Sequence, residues 1–171
     1  MKPTPNGDLN SFHELAKAKQ FHDDDELING EPTPRQMLAW LALITSEWDE
    51  AGLETELYYY SNEKPGKPEG GLVECVDGYI RCLDAQGACK CVPYVAELHN
   101  PSEYEFARAR LAACEAARDG HVAEFVAHLS EMAAWFEWCV VEQTSPERFV
   151  EICNEKHAYN MTRPPKHGRK A

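Results

Sequence analysis

From Met37 onward, apolar side chains return every three or four residues: Met37, Leu38, Leu41, Ile44 and Trp48. That recurrence is the period of an α-helix and cannot be laid along a strand, whose faces alternate at every second residue. Val73, Val76, Ile80 and Leu83 repeat it, and Phe12, Leu15 and Ala16 mark a shorter helix over Ser11 to Phe21. Further helical patterns run from Ser102 to Arg118, from Gly120 to Glu142 and from Pro146 to about Tyr159. Thr33-Pro34 and Ser145-Pro146 are N-cap and first-turn pairs, and Gly87 predicts the end of the helix that starts near Leu72. Pro65, Gly66 and Pro68 predict a loop from Tyr58 to Pro68, and Pro93 breaks an irregular or extended stretch from Cys89 to His99. No convincing strand ladder and no repeat is present, so the expectation is one all-α domain over residues 1–171, a helical bundle.

The net charge of −12 argues against a chain that coats nucleic acid. The charge is uneven: Lys156, Arg163, Lys166, Arg169 and Lys170 make residues 156–171 a basic tail without an acid. No signal-peptide core follows Met1, and no run reaches the roughly 18 apolar residues that cross a bilayer, so neither secretion nor a membrane partner is expected. The seven cysteines, at 75, 82, 89, 91, 114, 139 and 153, therefore read as reduced thiols in a cytoplasmic protein. Cys89, Cys91 and His99 match no usual zinc spacing.

Within the helical segments stand two acidic pairs, Glu47-x-x-Glu50 and Glu74-x-x-Asp77. Residues three apart on a helix project from one face, so two packed helices would bring four carboxylates together. Oxygen-only ligands select hard ions such as magnesium or manganese. Arg81 and Asp84 share the flank of Glu74 and Asp77, but no cluster of lysines or arginines on nearby helices is evident, which leaves cations from solvent as partners. The tail adds phosphate-binding chemistry, with Lys156, Tyr159, Asn160, Arg163 and the Pro164-Pro165 turn in close succession.

Three segments together resemble the signatures of MazG-like nucleotide pyrophosphohydrolases, above all the short forms found in phages and prophages. They are Ser46-Glu47-Trp48-Asp49-Glu50-Ala51, the run Val73-Glu74-Cys75-Val76-Asp77-Gly78 to Asp84, and Lys156-His157-Ala158-Tyr159-Asn160 to Gly168. The approach Phe21-His22-Asp23-Asp24 and the run Leu41-Ala42-Leu43-Ile44 agree with it. The resemblance implies an all-α bundle, magnesium dependence, and hydrolysis of a nucleoside or deoxynucleoside triphosphate to the monophosphate and pyrophosphate. Carried over by position, Glu47, Glu50, Glu74 and Asp77 are the metal ligands, with Glu47 or Glu50 as general base. Lys156, Asn160 and Arg163 contact the nucleotide. The family's homodimers or homotetramers are implied too, in the host cytoplasm if the chain is phage-encoded. Ser46 stands where the family has a leading glutamate, so one metal contact is expected to be lost or made through water. Residues 88–145 exceed a minimal member and read as a helical insertion that caps the site, extends the bundle or builds an interface.

Trp40, Trp48, Tyr79 and Tyr58–Tyr60 are candidates to stack a nucleobase, although such residues at helical spacing more often build core. Met132, Trp135, Phe136 and Cys139 form an apolar seam suited to assembly, with Trp135 and Trp138 as core or interface. His99, His121 and His128 read as surface residues without partners. The alternative to an enzyme is a module of the same fold that sequesters nucleotides or contacts another protein.

Overall fold

The computed structural model describes residues 9–19, 31–99 and 101–164. Among them are six helices: α1 (Asn10–Ala18), α2 (Pro34–Leu53), α3 (Gly71–Ala88), α4 (Glu103–Asp119), α5 (Val122–Gln143) and α6 (Pro146–Thr162). The all-α expectation is met. The Phe21-His22-Asp23-Asp24 approach and the end of the tail, residues 165–171, lie outside the described residues. No described helix is long and apolar enough to cross a membrane.

The helix starts follow their local chemistry. Thr33 accepts from the Gln36 backbone while the Gln36 side chain accepts from Thr33, a full capping box with Pro34 in the first turn. Ser145 caps α6 by accepting from Arg148 N at 3.1 Å. Ser102 does the same for α4, which ends on Gly120 in the left-handed conformation, φ 76°.

Gly87 corrects a predicted boundary. It does not end α3, which continues to Ala88 and is capped at Cys89. A Cβ at Gly87 would run into the ring of His13 on α1, so this glycine permits a close helix approach instead of a stop. Gly78 does the same on another side of α3, where the Phe136 ring of α5 occupies the space of a side chain. The predicted loop 58–68 also contains more order than expected. Tyr59–Tyr60 (β1) and Pro68–Glu69 (β2) form a two-residue antiparallel ladder, Tyr59 opposite Glu69 and Tyr60 opposite Pro68. A ladder that short leaves no alternation to detect.

Helix α3 is the hub. It packs against α1, α2, α5 and α6, while α4 lies on α5 and α2. Val73, Val76, Tyr79, Cys82 and Leu83 from α3 meet Ile44, Leu129, Met132, Phe136, Phe149 and Ile152, all fully or nearly fully buried. The stretch 88–145 thus completes the core: α5 is buried on most of its sides, as a central helix must be. This overturns the apolar seam expected for assembly. Met132, Trp135, Phe136 and Cys139 are all buried inside the single chain. Periodicity shows that a helix face is apolar, but not what covers it.

Between α3 and α4 the chain crosses α5 as an extended strap. Fully buried Gln86 pins it by donating to Tyr94 O at 3.0 Å and accepting from Tyr94 N at 2.8 Å. Such a pairing satisfies both ends of the amide where water cannot reach. Two of the three histidines read as unpartnered have partners: His128 lies 3.2 Å and His121 3.5 Å from a glutamate one turn on, Glu131 and Glu124 respectively.

Candidate functional site

The acidic pairs do converge. Glu47 and Glu50 project from the C-terminal half of α2, and Glu74 and Asp77 from the first half of α3, where the two helices pack together. Carboxylate oxygens of Glu47, Glu50 and Glu74 lie within 4.8 Å of one another. Among the described residues this is the one such grouping of potential metal ligands, and Cys89, Cys91 and His99 form none.

Asp77 has a different partner. The Lys156 ammonium lies 2.5 Å from its carboxylate, and the Lys156 side chain is 5% exposed. Glu47, itself buried, accepts a hydrogen bond from Arg81 one turn beyond Asp77 on α3. The expectation that only solvent cations could neutralise the cluster is therefore corrected: the chain itself supplies Arg81 and Lys156. Arg81 was legible, because it follows Asp77 by four residues on the same flank. Lys156 was placed on a tail, whereas α6 carries it into the bundle.

Two internal cations do not fully neutralise the acids. Burial, reinforced by the neighbouring Asp77 carboxylate, pushes the Glu74 carboxyl up to about 8. Burial also raises the Glu47 carboxyl against the opposing pull of Arg81. A carboxyl held this way must either keep a proton near neutrality or gain a cation. Three oxygen donors with a surplus of negative charge fit a hard divalent ion. Ser46 adds nothing to them, since its hydroxyl donates to Leu43 O in its own helix at 2.8 Å.

The remaining expected binding residues are split. Lys156 and Asn160 are buried within α6, and Asn160 accepts from Arg163 at 3.4 Å. Arg163 lies just past the helix and is half-buried, and its carbonyl accepts from Lys19 at 2.8 Å. The basic tail thus begins as helix, running to Thr162.

Of the aromatic candidates for stacking, Tyr79 is core, edge-on to Phe12 and Phe149 at 6.3 and 5.0 Å. Trp48 packs against Phe106, Trp135 and Phe136. Tyr79 offers no free face, and Trp48 is half-buried under this aromatic packing. Trp40 is half-buried in a shallow recess with Leu43, Arg81 and Asp84. The Tyr58 hydroxyl donates to Glu155, and Arg148 lies over its ring at 4.5 Å. Tyr60 remains exposed beside it.

Sequence reading missed Lys67, a cation between Gly66 and Pro68 that gives no periodic signal. Its ammonium lies 2.6 Å from Glu69, with the side chain 23% exposed. Comparison with protein-family models, curated proteins and solved structures returns no match to this chain.

Proposed function

We propose that the chain is a magnesium-dependent nucleoside triphosphate pyrophosphohydrolase, acting on ribo- or deoxynucleotides of a cytoplasmic pool. The observation that carries this reading is the meeting of Glu47, Glu50 and Glu74 oxygens within 4.8 Å across two helices. The three-segment resemblance supports the bond to be cleaved. Glu47, Glu50 and Glu74 would hold the ion, magnesium or manganese, with Asp77 beside them. When bound, the ion supplies charge neutralisation for the triphosphate and a more acidic water.

The residues of the chain divide the remaining work. Glu47 is fixed by Arg81, so its carboxylate is a rigid ligand and a poor proton carrier. Glu50 is exposed on the same face, open to the side from which water and nucleotide arrive. Its carboxylate takes the proton as the water oxygen bonds to the α-phosphorus. The bond from the α-phosphorus to the bridging oxygen then breaks, and pyrophosphate leaves with the electron pair. Lys156 holds Asp77 in place through their ion pair, a positioning role that differs from the direct phosphate clamp expected from sequence. Arg163, at the end of α6, is the described tail residue assigned to meet an anion.

The internal ion pairs of Arg81 and Lys156 also favour a second reading, a nucleotide-sequestering module in which the acids are satisfied without turnover. A homodimer or homotetramer remains part of the proposal, but through a surface other than the buried 132–139 face of α5. The deciding experiment incubates the protein with each NTP and dNTP plus magnesium and resolves the products. Monophosphate and pyrophosphate are expected, with activity abolished in Glu50→Ala and Asp77→Ala while helical content is kept. Binding without turnover selects the sequestering module. Diphosphate plus orthophosphate, or full activity in both variants, overturns the site.

A further inference from the structure

With Lys156 on Asp77 and Arg81 on Glu47, the polyphosphate is left to the ion and Arg163 unless another cation of the chain borders the cluster. The β1–β2 hairpin supplies one. Its turn is closed by Lys67 N donating to Lys64 O at 3.0 Å and Ser61 N donating to Lys67 O at 2.9 Å. Its base is joined to the first turn of α3 by Gly71 N to Glu56 O at 2.9 Å and Leu72 N to Leu57 O at 3.0 Å. Gly70 makes that joint possible: its φ of 113° suits glycine alone, and a Cβ there would sit 2.7 Å from Leu57 O. Strand β2 also touches α6, and the Tyr58–Glu155–Arg148 cluster ties the other strand to that helix. The hairpin is therefore a rigid bracket between the helix that carries Glu74 and Asp77 and the helix that carries Lys156.

Lys67 directly precedes β2, which packs against both α3 and α6. Burial opposes its charge, while Glu69 and then Glu74 and Asp77 raise the ammonium above its ordinary value. Three described cations thus border the acid cluster, and their partners differ. Arg81 and Lys156 hold Glu47 and Asp77, so moving either would disturb the acids themselves. Lys67 holds Glu69, which lies outside that set, and its side chain keeps contact with solvent. It can change partner without releasing a carboxylate of the cluster.

We propose that Lys67 grips the polyphosphate chain of the nucleotide, exchanging Glu69 for phosphate oxygens when substrate enters; the inference rests on the hydrolase reading. Glu69 acts as the resting partner that keeps the ammonium in place while the site is empty. A compact ammonium suits this task, since it must release one anion and take another.

The test compares wild type, Lys67→Met, Lys67→Arg and Glu69→Gln for NTP turnover and for calorimetric binding of magnesium tripolyphosphate. Lys67→Met is expected to raise KM about tenfold or more with kcat nearly kept, and to weaken tripolyphosphate to the same extent. Lys67→Arg restores most of both, and Glu69→Gln lowers KM by freeing the ammonium. Unchanged KM and unchanged tripolyphosphate affinity in Lys67→Met overturn the assignment while leaving hydrolysis intact. Equal losses in the Met and Arg variants, accompanied by a lowered Tm, overturn it as well, because they mark the Lys67–Glu69 pair as a fold contact. If wild type turns over no nucleotide, the hydrolase reading fails. Tripolyphosphate binding lost in Lys67→Met would then still uphold the grip.

Discussion

Helix α3 shows two flanks with opposite physics. On one, Gly78 and its neighbours receive α5 through the Phe136 ring, and Val76, Tyr79 and Leu83 close a dry core. On the other, Glu74 and Asp77 face α2 and α6 across charges that only partly cancel. The first flank gains stability from area removed from water, a term that titrates no group. The second holds carboxylates where burial disfavours their charge, so its stability depends on protons and cations. One helix therefore serves as anchor along one side and carries incompletely neutralised carboxylates along the other.

The sharpest way to break this division is Phe136→Ala. The ring is fully buried and stands where Gly78 lacks a side chain. Its loss leaves a cavity that neither helix fills, and about 3–5 kcal/mol of stability should disappear. Tm should fall by on the order of 10 °C. The fall should be the same with or without magnesium, because this flank carries no charge. A loss that magnesium substantially repairs would mean the two flanks are not independent.

Next in size is Lys156→Met, on the charged flank. The substitution keeps the aliphatic stem and removes the ammonium from Asp77, whose side chain is 17% exposed. Removing one partner of a mostly buried pair leaves the other uncompensated, which should cost about 2–3 kcal/mol in chelator. Magnesium should recover part of this, since a second source of positive charge becomes available. Calorimetric unfolding in each condition reads the difference. An identical loss in both would assign Lys156 to the fold alone.

The two flanks were unequally legible. The apolar side of α3 follows from spacing, as does its helix type. What spacing could not reveal is that Met132, Trp135, Phe136 and Cys139 meet their partners within the same chain. Helical periodicity is one-dimensional, and a seam that faces another subunit is written like one that faces α3. The acidic side was legible in composition and in convergence. Its internal neutralisation was not: Lys156 comes from a helix about 80 residues along the chain from Asp77. Gly87 shows the same limit. A helix-breaking residue near the end of a pattern suggests a cap, yet His13 on α1 gives that glycine its reason.

The smallest effect is the most specific to the charged flank, because it separates that flank from the core without any mutation. Burial and Asp77 push the Glu74 carboxyl from its ordinary value of 4.5 up to about 8 in the folded chain. Between those values the folded protein keeps a proton that the unfolded chain gives up. Stability from this group is then fully present below about pH 4.5 and lost as pH rises through about 8. For a half-buried carboxyl beside solvent, the loss is on the order of 1 kcal/mol. In chelator, Tm should decline gently across that window, while magnesium opposes the decline by holding the ionised carboxylates together. The gain in Tm produced by magnesium should consequently grow from acid to mildly alkaline pH in wild type. In Glu74→Gln, which has no proton to lose there, that growth should shrink. Scanning fluorimetry from pH 5 to pH 8.5 in chelator and in magnesium checks both. A magnesium gain that is flat with pH would remove Glu74 from the ion's surroundings and leave Glu47 and Glu50 to hold it without α3.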